Sequence, residues 1–184
     1  MMQKYDKNPQ ADGWNVYHMA ALSLFRSQTK DAFAGFSDAL KIFERLKDVL
    51  GQVSSLIHLG EIACGRKDIS AAEKYFQKAV KLVLQTQCKP LLADALTGVA
   101  QLLEAKGDEK KAISILMVAL SHPTCRQQTK DRMVSLIMEL QSTFSAQEAQ
   151  DGFQWAKAVG IEDMAKGWAS ASSPAGKAKA KKRL

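Results

Sequence analysis

His58, Glu61 and Cys64 follow one another at intervals of three residues, a spacing that sets all three side chains along one face of a helix. An imidazole, a carboxylate and a thiol could hold a metal or, with the imidazole as base, carry covalent chemistry on sulfur. Structural zinc takes four ligands, and neither a fourth ligand nor a second cluster accompanies this triplet. A nucleophilic cysteine also needs a base held in reach, for which no recognised spacing exists here. His18 and His122 are isolated and read as surface or turn residues. The cysteines, Cys64, Cys88 and Cys125, are odd in number and lack CxxC spacing, so they read as reduced, partly buried thiols and not as a disulfide framework. No catalytic group, metal or cofactor is expected, and the chemistry to look for is binding.

The elements that position these residues show in a repeat of period 40. Ala32, Ala72 and Ala112 align, followed by Phe36, Phe76 and Leu116, then by Ala39, Ala79 and Ala119. Upstream, Val16, Leu56 and Leu96 align, as do Met19, Leu59 and Val99, and the small residues Ala20, Gly60 and Ala100. Small residues let a neighbouring backbone approach, and a large one three or four positions away fills the space beside it. Each unit therefore reads as two helices with an apolar face that only stacking covers. Gly65 to Asp68 and Lys106 to Glu109 read as turns within units, with Gly suited to a C-cap and Asp to the next N-cap. Pro90 and Pro123 mark breaks between units. The pattern predicts helices over 14–27, 30–47, 51–65, 69–86, 90–106, 109–121, 124–143, 146–159 and 161–169, and no strand. The fold class expected is all-α, with an N-terminal segment at 1–13, a repeat domain at 14–169 and a tail at 170–184.

Composition narrows the function. The 184 residues are 46% hydrophobic and 24% charged, ordinary for a globular domain. No apolar run approaches the ~20 residues of a membrane helix, and the start lacks the apolar stretch of a secretory signal, so a cytoplasmic location and no membrane partner are expected. The formal charge is +7, but Lys177, Lys179, Lys181, Lys182 and Arg183 supply five of these charges. Without them, 21 basic side chains face 19 acidic ones, and the body is nearly neutral. The tail cannot bury apolar area. It reads either as a solubilising extension or as a salt-sensitive anchor for nucleic acid or another polyanion.

The units at 53–86 and 93–120 resemble tetratricopeptide (TPR) motifs: Leu59-Gly60, Ala72, Phe76 and Ala79 in one, and Val99-Ala100, Gly107, Ala112, Leu116 and Ala119 in the other. The usual aromatic of the first helix is replaced by Ala63 and Leu103, and the unit is longer than the common repeat of about 34 residues. Such long units are similar to the TPR arrays in the C-terminal sensor regions of MalT-like bacterial ATP-dependent transcriptional regulators. The resemblance runs over roughly residues 14 to 165, without the phosphate loop or helix-turn-helix of the complete regulators. It implies a right-handed superhelix of helix hairpins that works as a non-catalytic scaffold or sensor for a peptide or protein partner.

In a TPR-like stack the first helix of each unit lines a concave groove. The positions so placed are Trp14, Tyr17, Ala21 and Leu24, then Ser54, Ile57, Glu61 and Cys64, then Asp94, Thr97, Gln101 and Glu104, with Val134, Ile137 and Gln141 from a degenerate fourth unit. Aromatic anchors at one end and carboxylates in the middle suit a ligand with an apolar end and a basic stretch. Trp14 and Tyr17 equally suit a role in closing the first hairpin's core. Apolar surface left on an end hairpin offers a further partner, a second copy of the chain.

Overall fold

The computed structural model describes residues 8–87, 89–123, 125–140 and 159–171. Its elements are α1 (Pro9–Phe25), α2 (Thr29–Leu46), α3 (Val49–Gly65), α4 (Ile69–Thr86), α5 (Lys89–Ala105), α6 (Glu109–Leu120), α7 (Gln127–Leu140) and α8 (Ile161–Ala171). No strand occurs among the described residues, in keeping with the all-α expectation. The helix expected at 146–159 falls outside them up to residue 158, and of the tail expected at 170–184 only residues 170 and 171 are described, as the end of α8. No described helix is long and apolar enough to cross a membrane.

Local chemistry sets the helix ends. Asp48, Asp68 and Asp108 each accept a hydrogen bond from the amide three residues on, in Gly51, Ala71 and Lys111, so each begins a helix by satisfying an orphan donor. α1 starts at Pro9 and not at residue 14, because Asn8 caps it, accepting from the Gln10 and Ala11 amides, with proline in the first turn where no amide is missed. Left-handed residues close the turns at Ser27, Lys47, Lys67, Gln87 and Gly107, one every 20 residues. Gly107 meets its expected role, but Gly65 remains helical and Lys67, at φ 59°, carries the left-handed backbone.

Helices pair in chain order, α1 on α2, α3 on α4 and α5 on α6, and each pair packs on the next. The odd-numbered helices also meet directly, α1 on α3, α3 on α5 and α5 on α7, whereas α2 and α4 meet through side chains, in the Lys78–Glu44 ion pair and the edge-on contact of Phe33 with Tyr75. α8 returns to lie against α4, α5 and α6. The alanines at 32, 72 and 112 and at 39, 79 and 119 are fully buried, as are Phe36, Phe76 and Leu116, so the repeated stripe is the core.

Two phenylalanines key the helices together. The Phe43 ring sits against Gly13 of α1 and Gly51 of α3, and the Phe76 ring against Gly60 of α3 and Gly98 of α5. A Cβ at Gly13 would lie 2.9 Å from the Phe43 ring and one at Gly60 2.6 Å from that of Phe76, inside contact distance. The bare glycine surface is therefore the seat of each ring. A helical glycine costs about 1 kcal/mol relative to alanine, a cost that the seated ring offsets.

Candidate functional site

α1, α3 and α5 present one wall of a cleft and the start of α7 the other. Trp14, Tyr17 and His18 come from α1, Leu50, Ser54, Ile57 and His58 from α3, Asp94 from α5, and Arg126, Gln128, Thr129 and Arg132 from the segment opening α7. The cleft holds about 490 Å³, within the range of ligand-binding cavities.

The aromatic end serves core and cleft together. Trp14 packs against Phe43 at 4.9 Å between ring centroids and meets Tyr17 edge-on at 5.2 Å. Tyr17 meets Phe36 edge-on at 5.3 Å, and His58 stacks on Phe36 at 4.6 Å. These rings are thus anchored from behind by the core while forming the cleft wall, which leaves them rigid. Burial and the nearby Glu61 push the Tyr17 phenol up to about 12, against a hydrogen bond with Ser54 that lowers it. The phenol is accordingly neutral at physiological pH and available as a hydrogen-bond donor.

The polar side is tied across helices. Arg126 pairs with Asp94, which also accepts a hydrogen bond from the Thr129 hydroxyl. Arg132 pairs with Glu61 and donates to the Gln101 side-chain oxygen at 3.0 Å. His58 Nδ1 lies 2.9 Å from Glu61 Oε2. Burial pushes the Glu61 carboxyl up, but the His58 hydrogen bond and the Arg132 charge outweigh it and hold the group below its ordinary range. Two carboxylates thus face two guanidiniums, and the acidic middle that would have favoured a basic ligand is neutralised from α7. The long reach of these pairs, from α7 back to α3 and α5, leaves no local pattern in sequence, and the charged run Arg126 to Arg132 was the one available signal.

Trp14, Tyr17, Ser54, Ile57 and Asp94 line the cleft, and Glu61 and Gln101 are joined to its rim through Arg132. Three other expected groove positions lie apart from this cleft. Thr97 is 1% exposed and donates its hydroxyl to the Ala93 carbonyl at 2.8 Å, satisfying its polar atom inside its own helix where packing closes over it. Leu24 lies further along α1 in a neighbouring depression that it shares with Glu61, Ile62 and Arg66. Glu104 lies outside the cleft lining, its carboxyl pushed up by burial and by Glu139 and Glu109. The cationic residues 177, 179, 181, 182 and 183 lie outside the described residues.

Of the triplet, His58 and Glu61 join and Cys64 stands apart. Among the described residues no three His, Cys, Asp or Glu side chains are grouped to hold a metal. Cys64 and Cys125 are free. Burial, then Glu61 and Glu104, push the Cys64 thiol up to about 11. Since thiolate and not thiol is the nucleophile, Cys64 in the native protein is expected to react with iodoacetamide at neutral pH far more slowly than the same thiol after unfolding in urea. Equal rates, followed by mass spectrometry of the Cys64 peptide, would contradict the protonated, half-buried thiol.

Comparison of the chain with protein-family models, with curated proteins and with solved structures yields no match.

Proposed function

We propose that the chain is a non-catalytic binding scaffold, a TPR-like right-handed superhelix of helix hairpins that receives an extended or helical segment of a partner protein in the cleft between α1, α3, α5 and α7. The observation that carries this reading is the cleft's combination of a rigid aromatic wall with half-exposed polar groups on the opposite rim. Rigid aromatic anchors with adaptable polar neighbours are what a peptide-binding surface requires. The repeat register supports the superhelix. The closer backbone approach of α3 to α5 than of α2 to α4 is consistent with a stack curved toward the odd-numbered helices, whose surface is then the concave one. Because Glu61 and Asp94 are matched by Arg132 and Arg126, the favoured ligand carries an apolar or aromatic anchor and no marked excess of charge.

The test is a selection of peptides from a random display library on the full chain, followed by fluorescence anisotropy of the recovered sequences. Trp14→Ala removes the aromatic wall and Ser54→Arg fills the cleft. Either is expected to weaken binding by at least tenfold, about 1.4 kcal/mol, with circular dichroism unchanged. Peptides that bind both variants as well as the parent protein would place recognition elsewhere and defeat the reading.

A further inference from the structure

We propose that the outer face of α1 is the interface of a two-fold symmetric dimer in which α1 of one copy packs antiparallel on α1 of the other. The inference concerns the outer face of α1, which borders the cleft at His18, and does not depend on the peptide-binding reading.

α1 turns Gly13 and Ala20 inward and leaves Met19 63%, Leu22 50% and Phe25 90% exposed. No other described helix leaves three large apolar side chains uncovered together. The composition of α1 makes this more than scattered exposure. α2 and α4 are strongly two-sided, with a polar face to solvent, whereas α3 is covered by α1, α2, α4 and α5 and turns Ser54 and His58 to the cleft. The second half of α1, Met19 to Phe25, is mostly apolar, yet among the described helices its main packing partners are α2 and α3 alone. Contiguous exposed apolar surface marks an interaction site.

Charge selects a second copy as the occupant. Asn15, Met19, Leu22 and Arg26 succeed one another at intervals of four, three and four residues, the seam by which two helices interlock. A two-fold axis passing between Met19 and Leu22 sets Met19 of each copy against Leu22 of the other. The same operation sets Arg26 of each copy against Asn15 of the other. Asp12 stands one turn from that Asn15, about 4.5 Å along the axis, within reach of a guanidinium. Asp12 and Arg26 are both exposed and make no ion pair with another described residue. The axis thus creates two identical Asp12–Arg26 pairs, one at each end of the apolar strip, as an isologous interface requires. A parallel arrangement would instead oppose like charges at both ends. His18 and Phe25, which flank the seam on one side, come within reach across the axis. One helix pair lies at the low end of specific interface sizes, near ~1,000 Å² in total, so a reversible dimer is the expected product.

Sedimentation velocity with light scattering on the full chain over a rising concentration series should show the average mass climbing from 20.2 kDa toward twice that value. Leu22→Lys, and independently Met19→Asp, should raise the dissociation constant at least tenfold, about 1.4 kcal/mol, with the helical circular dichroism signal retained. Arg26→Asp should weaken association, and Asp12→Arg combined with Arg26→Asp should restore it, a rescue that non-specific apolar clustering would not give. A monomer at every concentration overturns the proposal. Association indifferent to Leu22→Lys and Met19→Asp, or a charge swap that fails to restore it, does the same.

Discussion

Phe76→Ala is expected to remove about 3–5 kcal/mol of unfolding free energy, the range for deleting a buried aromatic ring, from a total of roughly 5–15 kcal/mol for a domain of ordinary stability. The ring is fully buried and seated against Gly60 on α3 and Gly98 on α5, so its loss opens a void where three helices meet. Small neighbours make the void hard to collapse, because no side chain at either glycine can move into it. Urea denaturation followed by circular dichroism measures the effect, with the slope of the transition checking that the unfolded state is unchanged. A companion variant tests the seat from the opposite side. Gly98→Val would drive a branched side chain into the space the ring occupies, for an overpacking loss of about 1–3 kcal/mol, although valine exceeds glycine in helix propensity. The two changes share one volume, so their effects should be far from additive. A loss below about 1 kcal/mol for Phe76→Ala, typical of an average surface-to-core substitution, would show that the ring does not key α3 to α5.

Arg132→Met is expected to destabilise the protein by about 1–3 kcal/mol at neutral pH, the cost of leaving a buried acceptor without its partner. The Glu61 side chain is 17% exposed and that of Arg132 38%, so solvent screening keeps the effect below that of a fully buried ion pair. The pH dependence has a defined sign. Glu61 is held below the ordinary value of 4.5 in the folded chain, so its contribution is complete above 4.5 and is lost as the pH falls through the lower folded value. Stability measured by urea denaturation should therefore decline on the acid side of 4.5. Glu61→Gln should flatten that decline, since no proton is taken up at this position. In Arg132→Met, burial acts on Glu61 with less opposition, the folded value rises, and the acid-side loss attributable to this group should shrink. An acid limb identical in all three proteins would show that the Glu61–Arg132 contact carries no coupling.

Much of the architecture was open to reading from residue order. The alanine and phenylalanine stripes at period 40 are imposed by one helix's 3.6-residue turn against its immediate neighbour, and chain-adjacent helices are the ones that pack. Asp48, Asp68 and Asp108 act on amides three residues away, so their effect is equally local. The start of α1 was legible as well, in Asn8-Pro9, a capping residue followed by proline at the first helical position. Gly13, Gly51 and Gly98 stand inside helices where glycine is costly, a signal that something large must lie against them.

The cleft divides along the same line. Trp14, Tyr17, Ser54 and Ile57 reach it because their positions on α1 and α3 follow from helical phase. The depth of Thr97 and the displacement of Leu24 are set by how far the next helix leans over each face, which no local period encodes. The pairing of Asp94 with Arg126 and of Glu61 with Arg132 joins residues 32 and 71 positions apart. Helical phase assigns a side chain to a direction around its own axis, whereas charge neutralisation depends on what another segment brings to that direction in space. Residue order accordingly settled that the chain forms paired helices with one buried stripe each. Only the packed assembly decided that the middle of the cleft is neutral and that the outer face of α1 stands bare, because both are properties of distances between segments.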